Sequence, residues 1–235
     1  QHFVFYAHGG LNAPDEAAVR TAAMLNGFKR NGIYPYSVFY DTGLVRTLKD
    51  VIQNEVDKLR ERTGGFGDYW DKLVEKASAP IGQRLWAEMK RDARLPFEAN
   101  RDGQIMLEIL LDALTRRKTT MPVHLIGHST GAVLIGHLLE ALERCNLPLQ
   151  IDSISLLAPA CSLDFYRSMF QPRLGSKTSG NVRIKQLHVY MLDDKTEQGD
   201  KVMEVYRKSM LYLVSNAYES ARELPLLGME KFAEE

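Results

Sequence analysis

Cysteine is scarce in this chain, which has two, Cys145 and Cys161, among 235 residues. Two cysteines cannot form the disulfide framework that holds small secreted domains together. Neither lies in a Cys-x-x-Cys pair or near histidines at metal-ligand spacing, so the sequence predicts no metal site. We expect two free, buried thiols, with a single disulfide as the alternative.

Excess charge and long apolar segments are missing as well. Thirty Lys and Arg side chains balance thirty Asp and Glu side chains, which leaves no basic footprint for nucleic acid. No apolar run approaches the length of a membrane span, and no Gly-rich nucleotide-binding pattern is present. We therefore expect no nucleic-acid partner, no transmembrane segment, no cofactor and a cytoplasmic location. Because the chain opens at Gln1 directly on a strand-like run, we also expect a fragment or a processed form.

Strand-like and helix-like segments alternate along the chain, which is typical of an α/β domain with a largely parallel sheet. The 235-residue length suits one such domain over residues 1–235. Short apolar runs predict strands over 2–7, 34–40, 121–126, 151–157 and 184–192. Helical periodicity and capping residues predict helices over 14–31, 43–62, 104–116, 132–142, 164–170 and 200–221.

The region 66–102 interrupts this alternation, because it holds both tryptophans and no convincing strand. We expect helical pieces inserted between sheet elements as a lid, whose apolar faces line a pocket. The alternative is that these side chains simply pack against the helices of the sheet. The apolar residues concerned are Trp70, Leu73, Val74, Ile81, Leu85, Trp86 and Met89.

Gly127-His128-Ser129-Thr130-Gly131 matches the nucleophile-elbow pattern G-x-S-x-G. In that motif a serine at the tip of a sharp strand-to-helix turn has strained backbone angles and exposes its hydroxyl. The flanking residues must be small, because the strand and the helix pass close together there. A predicted strand leads into Gly127 and a predicted helix follows Gly131, so the surrounding pattern fits the motif. The alternative is a Gly-rich turn with an idle serine.

Two further motifs follow predicted strands. His8-Gly9-Gly10 comes directly after the first strand, where glycines allow a close backbone approach. Asp193 and Asp194 come at the end of the strand that contains Leu187 to Leu192, with Glu197 and Asp200 close behind. Taken alone, the first motif is also consistent with a plain turn, and the acids with helix capping or a solvated loop.

In these three motifs the chain resembles the α/β-hydrolase superfamily, of the general esterase or lipase type. Residues 70–97 and 208–215 are similar to uncharacterised bacterial members. The resemblance implies a three-layer sandwich with a mostly parallel sheet, Ser129 as nucleophile, and Thr130 with Gly9 or Gly10 as oxyanion-hole donors. It also implies a downstream acid, for which we prefer Asp194 over Asp193.

The superfamily's order of catalytic residues, Ser, then acid, then His, is incomplete in this chain. None of its six histidines follows Asp194. We expect the general base, with the last strand and its His loop, in a segment C-terminal to Glu235; a degenerate site is the alternative. The expected function is ester hydrolysis on a small-molecule acyl substrate. A non-catalytic binding or scaffold protein, or a peptidase or thioesterase, is the alternative function.

Overall fold

The computed structural model describes residues 1–10, 14–39, 50, 53–54, 57, 69–116, 121–175, 180–202 and 205–234. The predicted helix 43–62 and the first residues of the predicted insert, 66–68, lie largely or wholly outside these ranges. The described strands are β1 His2–Ala7, β2 Ile33–Val38, β3 Val123–His128, β4 Leu149–Ile151, β5 Ser153–Leu157, β6 Val182–Ile184 and β7 Leu187–Tyr190.

Five of these strands form one parallel sheet in the order β2-β1-β3-β5-β7. Ala7 of β1 pairs with Gly127 of β3, so both strands end at the same edge of the sheet. Because the strands are parallel, the loops that follow β1, β3, β5 and β7 also meet at that edge. Together with the helices this gives the expected three-layer α/β fold.

The first five described helices lie between strands, as the alternating pattern predicts, and the last two follow the last described strand. Helix α1 begins at Pro14 and ends before Gly32, whose φ of 69° terminates it. The described helices are α1 Pro14–Arg30, α2 Trp70–Arg94, α3 Asp102–Thr115, α4 Gly131–Arg144, α5 Leu163–Met169, α6 Asp194–Gly199 and α7 Met210–Leu213, the last continued by a π-helical turn over Val214–Tyr218.

Two predicted strands, 151–157 and 184–192, are wrong as continuous elements. Each is split, and their first parts, β4 and β6, form a separate two-stranded parallel sheet. Asp152 lies at the first break, where its carboxylate accepts a hydrogen bond from Val123 N at 3.0 Å and binds Lys185 Nζ at 2.5 Å. Since Lys185 lies at the second break, this ion pair joins the two points where the chain changes sheets.

The predicted helix 200–221 is also wrong over its first half. Val202 and Tyr206 pair as a short antiparallel bridge, and helix α7 begins only after Ser209, whose hydroxyl oxygen caps it by accepting from Tyr212 N at 3.3 Å. Trp70 Nε1 donates to Val205 O at 2.8 Å, and this hydrogen bond holds the segment with the Val202–Tyr206 bridge against α2. The apolar residues that suggested one helix are buried against α2 instead.

Two hydrophobic cores result. The first lies between the sheet and α3, α4 and α5, and α4 is buried on nearly all sides within it. The second joins α2 to the segment 205–229, with Trp70, Trp86 and Tyr218 at its centre. We call α2 together with the segment 205–222 the cap, because it covers the edge of the sheet where the strands end.

Two buried carboxylates fasten the halves of the cap to each other. Glu75 of α2 accepts from Tyr206 Oη and Asn216 Nδ2, each at 2.8 Å, and pairs with Arg222 at 2.9 Å. On the same helix, Trp86 Nε1 donates to Glu219 Oε1 at 2.7 Å. These bonds fix where α2 lies relative to the residues that follow β7.

Candidate active site

Ser129 occupies the sharp turn between β3 and α4. Its φ of 52° is in the left-handed region that non-glycine residues rarely adopt. Ser129 N donates to Leu157 O at 2.9 Å, while Ser129 O accepts from Ala132 N and Ala160 N, each at 3.1 Å. The main chain of the serine is therefore held from both β5 and α4, and these contacts maintain the strained angle.

The glycines on either side of Ser129 are required by close contacts. A Cβ on Gly131 would overlap the Ala7 carbonyl oxygen and lie 2.9 Å from the Ala7 carbonyl carbon. A Cβ on Gly127 would lie 2.9 Å from Ile135 Cδ1 and 3.0 Å from Ala132 N. The motif predicts small residues at these positions because the strand and the helix pass close together. The contacts agree with that reason, since they leave no room for a side chain.

The His8-Gly9-Gly10 segment lies directly against the serine turn. A Cβ on Gly9 would be 3.2 Å from Ser129 Cβ, and a Cβ on Gly10 would be 2.9 Å from Thr130 Oγ1. His8 Nδ1 lies 2.8 Å from Gly9 O and, because a carbonyl only accepts, donates its proton there. The structure thus brings all three predicted oxyanion-hole positions next to Ser129.

A cavity of about 260 Å³ lies over Ser129. Its floor consists of the serine turn and the two glycines, and most of its wall is apolar. Both halves of the cap contribute to that wall: Leu85, Trp86 and Met89 from α2, and Leu211, Val214 and Tyr218 from the segment after β7. Burial raises the pKa of the Tyr218 phenol to about 12, so this side chain is neutral at pH 7.

The two acids predicted as catalytic, Asp193 and Asp194, have other contacts. Asp193 is exposed and caps α6, accepting from Thr196 N at 2.8 Å, and this hydrogen bond holds its pKa below the usual range. Asp194 accepts from Tyr212 Oη and, at 2.5 Å, from Gln198 Nε2. Neither lines the cavity.

Among the described residues, the carboxylates that line the cavity are Glu197 and Asp200. Glu197 is 2% exposed and accepts a hydrogen bond from the Ser209 hydroxyl. Burial raises the pKa of the Glu197 carboxyl, and the negative charges of Asp200 and Asp194 raise it further against the opposing effect of Ser209. The cavity therefore has one acidic end in an otherwise apolar wall.

The middle of the chain matches a known family. Residues 98–206, slightly less than half of the chain, match the family model described as "Alpha/beta hydrolase of unknown function (DUF900)". The matched segment contains the serine turn, β5, β7 and the acids that follow, on the parallel sheet described above. The chain has the α/β-hydrolase fold. A search of curated proteins gave no match.

The described histidines do not bond Ser129 Oγ. His128 lines the cavity beside the serine, and burial lowers the pKa of its ring, with Arg20 and His8 adding to the effect. His124 bonds Ser153 Oγ at 2.7 Å, and His137 bonds Glu140 at 3.1 Å. A base C-terminal to Glu235 stays a prediction.

The sequence did not indicate the side chains that close the cavity from the segment 205–222. It placed Glu197 and Asp200 only as neighbours of the preferred acids. The spacing of Asp194, Glu197 and Asp200, three residues apart, was the available signal, because it puts carboxylates along one helix face. That pattern alone could not show that Glu197 is buried.

Within the described ranges, no helix combines the length and apolarity needed to cross a membrane. Within the same ranges, no three His, Cys, Asp or Glu side chains come together as a metal site. Cys145 and Cys161 are both free thiols.

Proposed function

We propose that this protein is a serine hydrolase that cleaves esters by acyl transfer to Ser129. The observation that carries the proposal is the left-handed serine turn at φ 52°, packed against two glycines at the floor of a cavity. A strained non-glycine residue persists where the surrounding structure holds it, and such strain clusters at functional sites. An idle serine would not require these contacts.

In the proposed reaction, a general base takes the Ser129 Oγ proton as the oxygen attacks the ester carbonyl. The negative charge that develops on the carbonyl oxygen is stabilised by the main-chain N–H groups of Thr130 and of Gly9 or Gly10. The leaving alcohol receives the proton, and water then cleaves the acyl-enzyme. We assign the acid that orients the base to Asp194, with Asp193 as the alternative, and the base to the histidine predicted beyond Glu235.

We also propose that the α2 half of the cap is the lid that the sequence predicts at 66–102. Leu85, Trp86 and Met89 face the cavity, whereas Trp70 and Val74 are buried against the segment 205–229. The alternative predicted packing against the helices of the sheet, but Trp70 and Val74 pack against the segment that follows β7. At about 260 Å³ the cavity is smaller than pockets for drug-sized ligands, which begin near roughly 300 Å³, and this favours a short acyl chain.

The test is hydrolysis of p-nitrophenyl butyrate by the full-length protein. We expect turnover by the wild type and a loss of about 10³-fold or more in kcat for Ser129→Ala. Ser168→Ala is the matched control, because Ser168 is an exposed serine on α5. It should retain the activity of the wild type.

Substrate class is tested with matched butyryl esters, thioesters and anilides, of which the ester should be cleaved fastest. Faster cleavage of the thioester would support a thioesterase instead of an esterase, and faster cleavage of the anilide would support a peptidase. A folded full-length protein that turns over none of the three would support a non-catalytic binding role.

A further inference from the structure

Glu197 is a buried acid of the Ser129 cavity to which the catalytic proposal assigns no role. It lies on α6, is 2% exposed, and lines the same cavity as Ser129. A carboxylate so deeply buried normally has a cationic partner or several hydrogen-bond donors. Its surroundings therefore indicate what it is placed to bind.

One oxygen of this carboxylate is already bonded. Oε2 accepts from the Ser209 hydroxyl, and Ser209 N donates to the main-chain oxygen of Glu197 at 2.8 Å. These contacts fix both the backbone and the side chain of Glu197. The carboxylate consequently keeps a constant position relative to the cavity.

Among the described residues, the side-chain hydrogen bond of this carboxylate is the one on Oε2, and none is made to the other oxygen, Oε1. Within the same ranges, no Lys or Arg forms an ion pair with Glu197, although nearby carboxylates of the cap have such partners: Arg222 pairs with Glu75 and Lys90 with Glu219. The charged groups that act on Glu197 are instead acidic, Asp194 and Asp200. The acidic end of the cavity could therefore pair with a positively charged group of a bound molecule.

We propose that Glu197 is a specificity-determining residue that selects ester substrates carrying a protonated amine. The inference rests on the proposed function of Ser129. The amine N–H donates to Glu197 Oε1, Asp200 adds negative potential, and apolar wall residues such as Leu211 contact the methylene groups between the amine and the ester. The ammonium group of such a substrate is paired with Glu197 when its ester carbonyl lies at Ser129.

The test compares two esters of the same shape on the full-length protein. 2-(Dimethylamino)ethyl butyrate carries a protonated amine at neutral pH, and 3-methylbutyl butyrate has a carbon in place of that nitrogen. Hydrolysis is followed by titrating the released acid. We expect kcat/KM to favour the cationic ester by about tenfold or more, as a charge-assisted hydrogen bond predicts.

Glu197→Gln should reduce that ratio of kcat/KM at least about tenfold, because the amide keeps the shape but loses the charge. Glu88→Gln is the matched control, since Glu88 is an exposed acid on α2 outside the cavity, and it should leave the ratio unchanged. An equal fall for both esters in Glu197→Gln would overturn the proposal, because Glu197 would then act on the reaction or the fold and not on selection. Absence of a preference in the wild type would overturn it too.

A binding measurement keeps the proposal testable if Glu197→Gln fails to fold. Full-length Ser129→Ala, with Glu197 intact, is titrated with 2-(dimethylamino)ethanol and with 3-methylbutan-1-ol. Tighter binding of the amine supports the proposal, and equal or weaker binding overturns it. Ester hydrolysis that survives Ser129→Ala would instead refute the function assigned to Ser129, so the two failures are distinguishable.

Discussion

Gly131→Ala is the substitution that tests the geometry of the serine turn most severely. The added Cβ would overlap the Ala7 carbonyl oxygen and lie 2.9 Å from the Ala7 carbon and 3.0 Å from the His8 oxygen. Optimal contacts between carbon atoms are about 3.5–4.0 Å, so the end of β1 and the start of α4 must separate by about 1 Å. All three obstacles are main-chain atoms at the end of β1, and none can rotate away.

Overpacking a core costs about 1–3 kcal/mol, and a backbone obstacle puts this site near about 3 kcal/mol. For a chain of this size that loss lowers Tm by about 6–12 °C. The matched control is Gly27→Ala in α1, where a Cβ meets no atom within 4 Å. It should raise stability by about 0.4–1 kcal/mol.

The assay is thermal and urea denaturation of both variants, with ester hydrolysis measured beside it. The separation of β1 from α4 also moves Gly9 and Gly10 away from Thr130. Gly131→Ala should therefore lose activity even where the protein is folded. A Gly131→Ala protein with the Tm and activity of the wild type would refute the close contact on which the description of the turn depends.

Three other predictions concern buried groups. Glu75→Ala leaves two buried donors without an acceptor, among them the Tyr206 hydroxyl, and should cost about 2–5 kcal/mol in urea denaturation; a loss below about 1 kcal/mol would contradict the buried network. Because the folded pKa of Glu197 is raised, the native state holds more protons than the unfolded state, and the free energy of unfolding falls as pH rises from the unfolded pKa through the folded one. Glu197→Gln lacks this titration, so its Tm relative to wild type should increase as the pH rises from the unfolded pKa of Glu, about 4.3, through the raised folded pKa; a pH-independent difference would contradict the raised pKa. Cys161 is buried and its pKa is raised to about 12, so a thiol reagent should modify Cys145 alone in the native protein, and equal labelling rates would contradict this burial.

The serine turn could be predicted from the sequence because its physics is local. A strand, two glycines and a helix within a dozen residues determine the close approach at Gly127 and Gly131, and the structure has both contacts. The position of His8-Gly9-Gly10 follows from the parallel pairing of β1 with β3. The alternating pattern predicts a parallel sheet, but not that these two strands are neighbours. These features depend on neighbouring atoms and on topology, not on distant side chains.

The rest of the site depends on contacts between distant parts of the chain. At the change of sheet, an ion pair between Asp152 and Lys185 joins the two strand breaks, and no pattern within either strand indicates it. Residues 200–209 have apolar spacing that suits a helix, yet burial against α2 outweighs helix propensity there. Glu197 is buried because Ser209 and the chain after it fold back over α6, so its role could not be read from the acidic sequence around it.

The central claim is that Ser129 is the nucleophile. The most direct measurement is reaction of the full-length protein with a fluorophosphonate probe, followed by mass-spectrometric mapping of the modified peptide. The chain has twelve serines, and the account predicts one modification, on Ser129, that disappears in Ser129→Ala and persists in Ser168→Ala. Labelling of another serine, or a folded full-length protein that stays unlabelled, would contradict it.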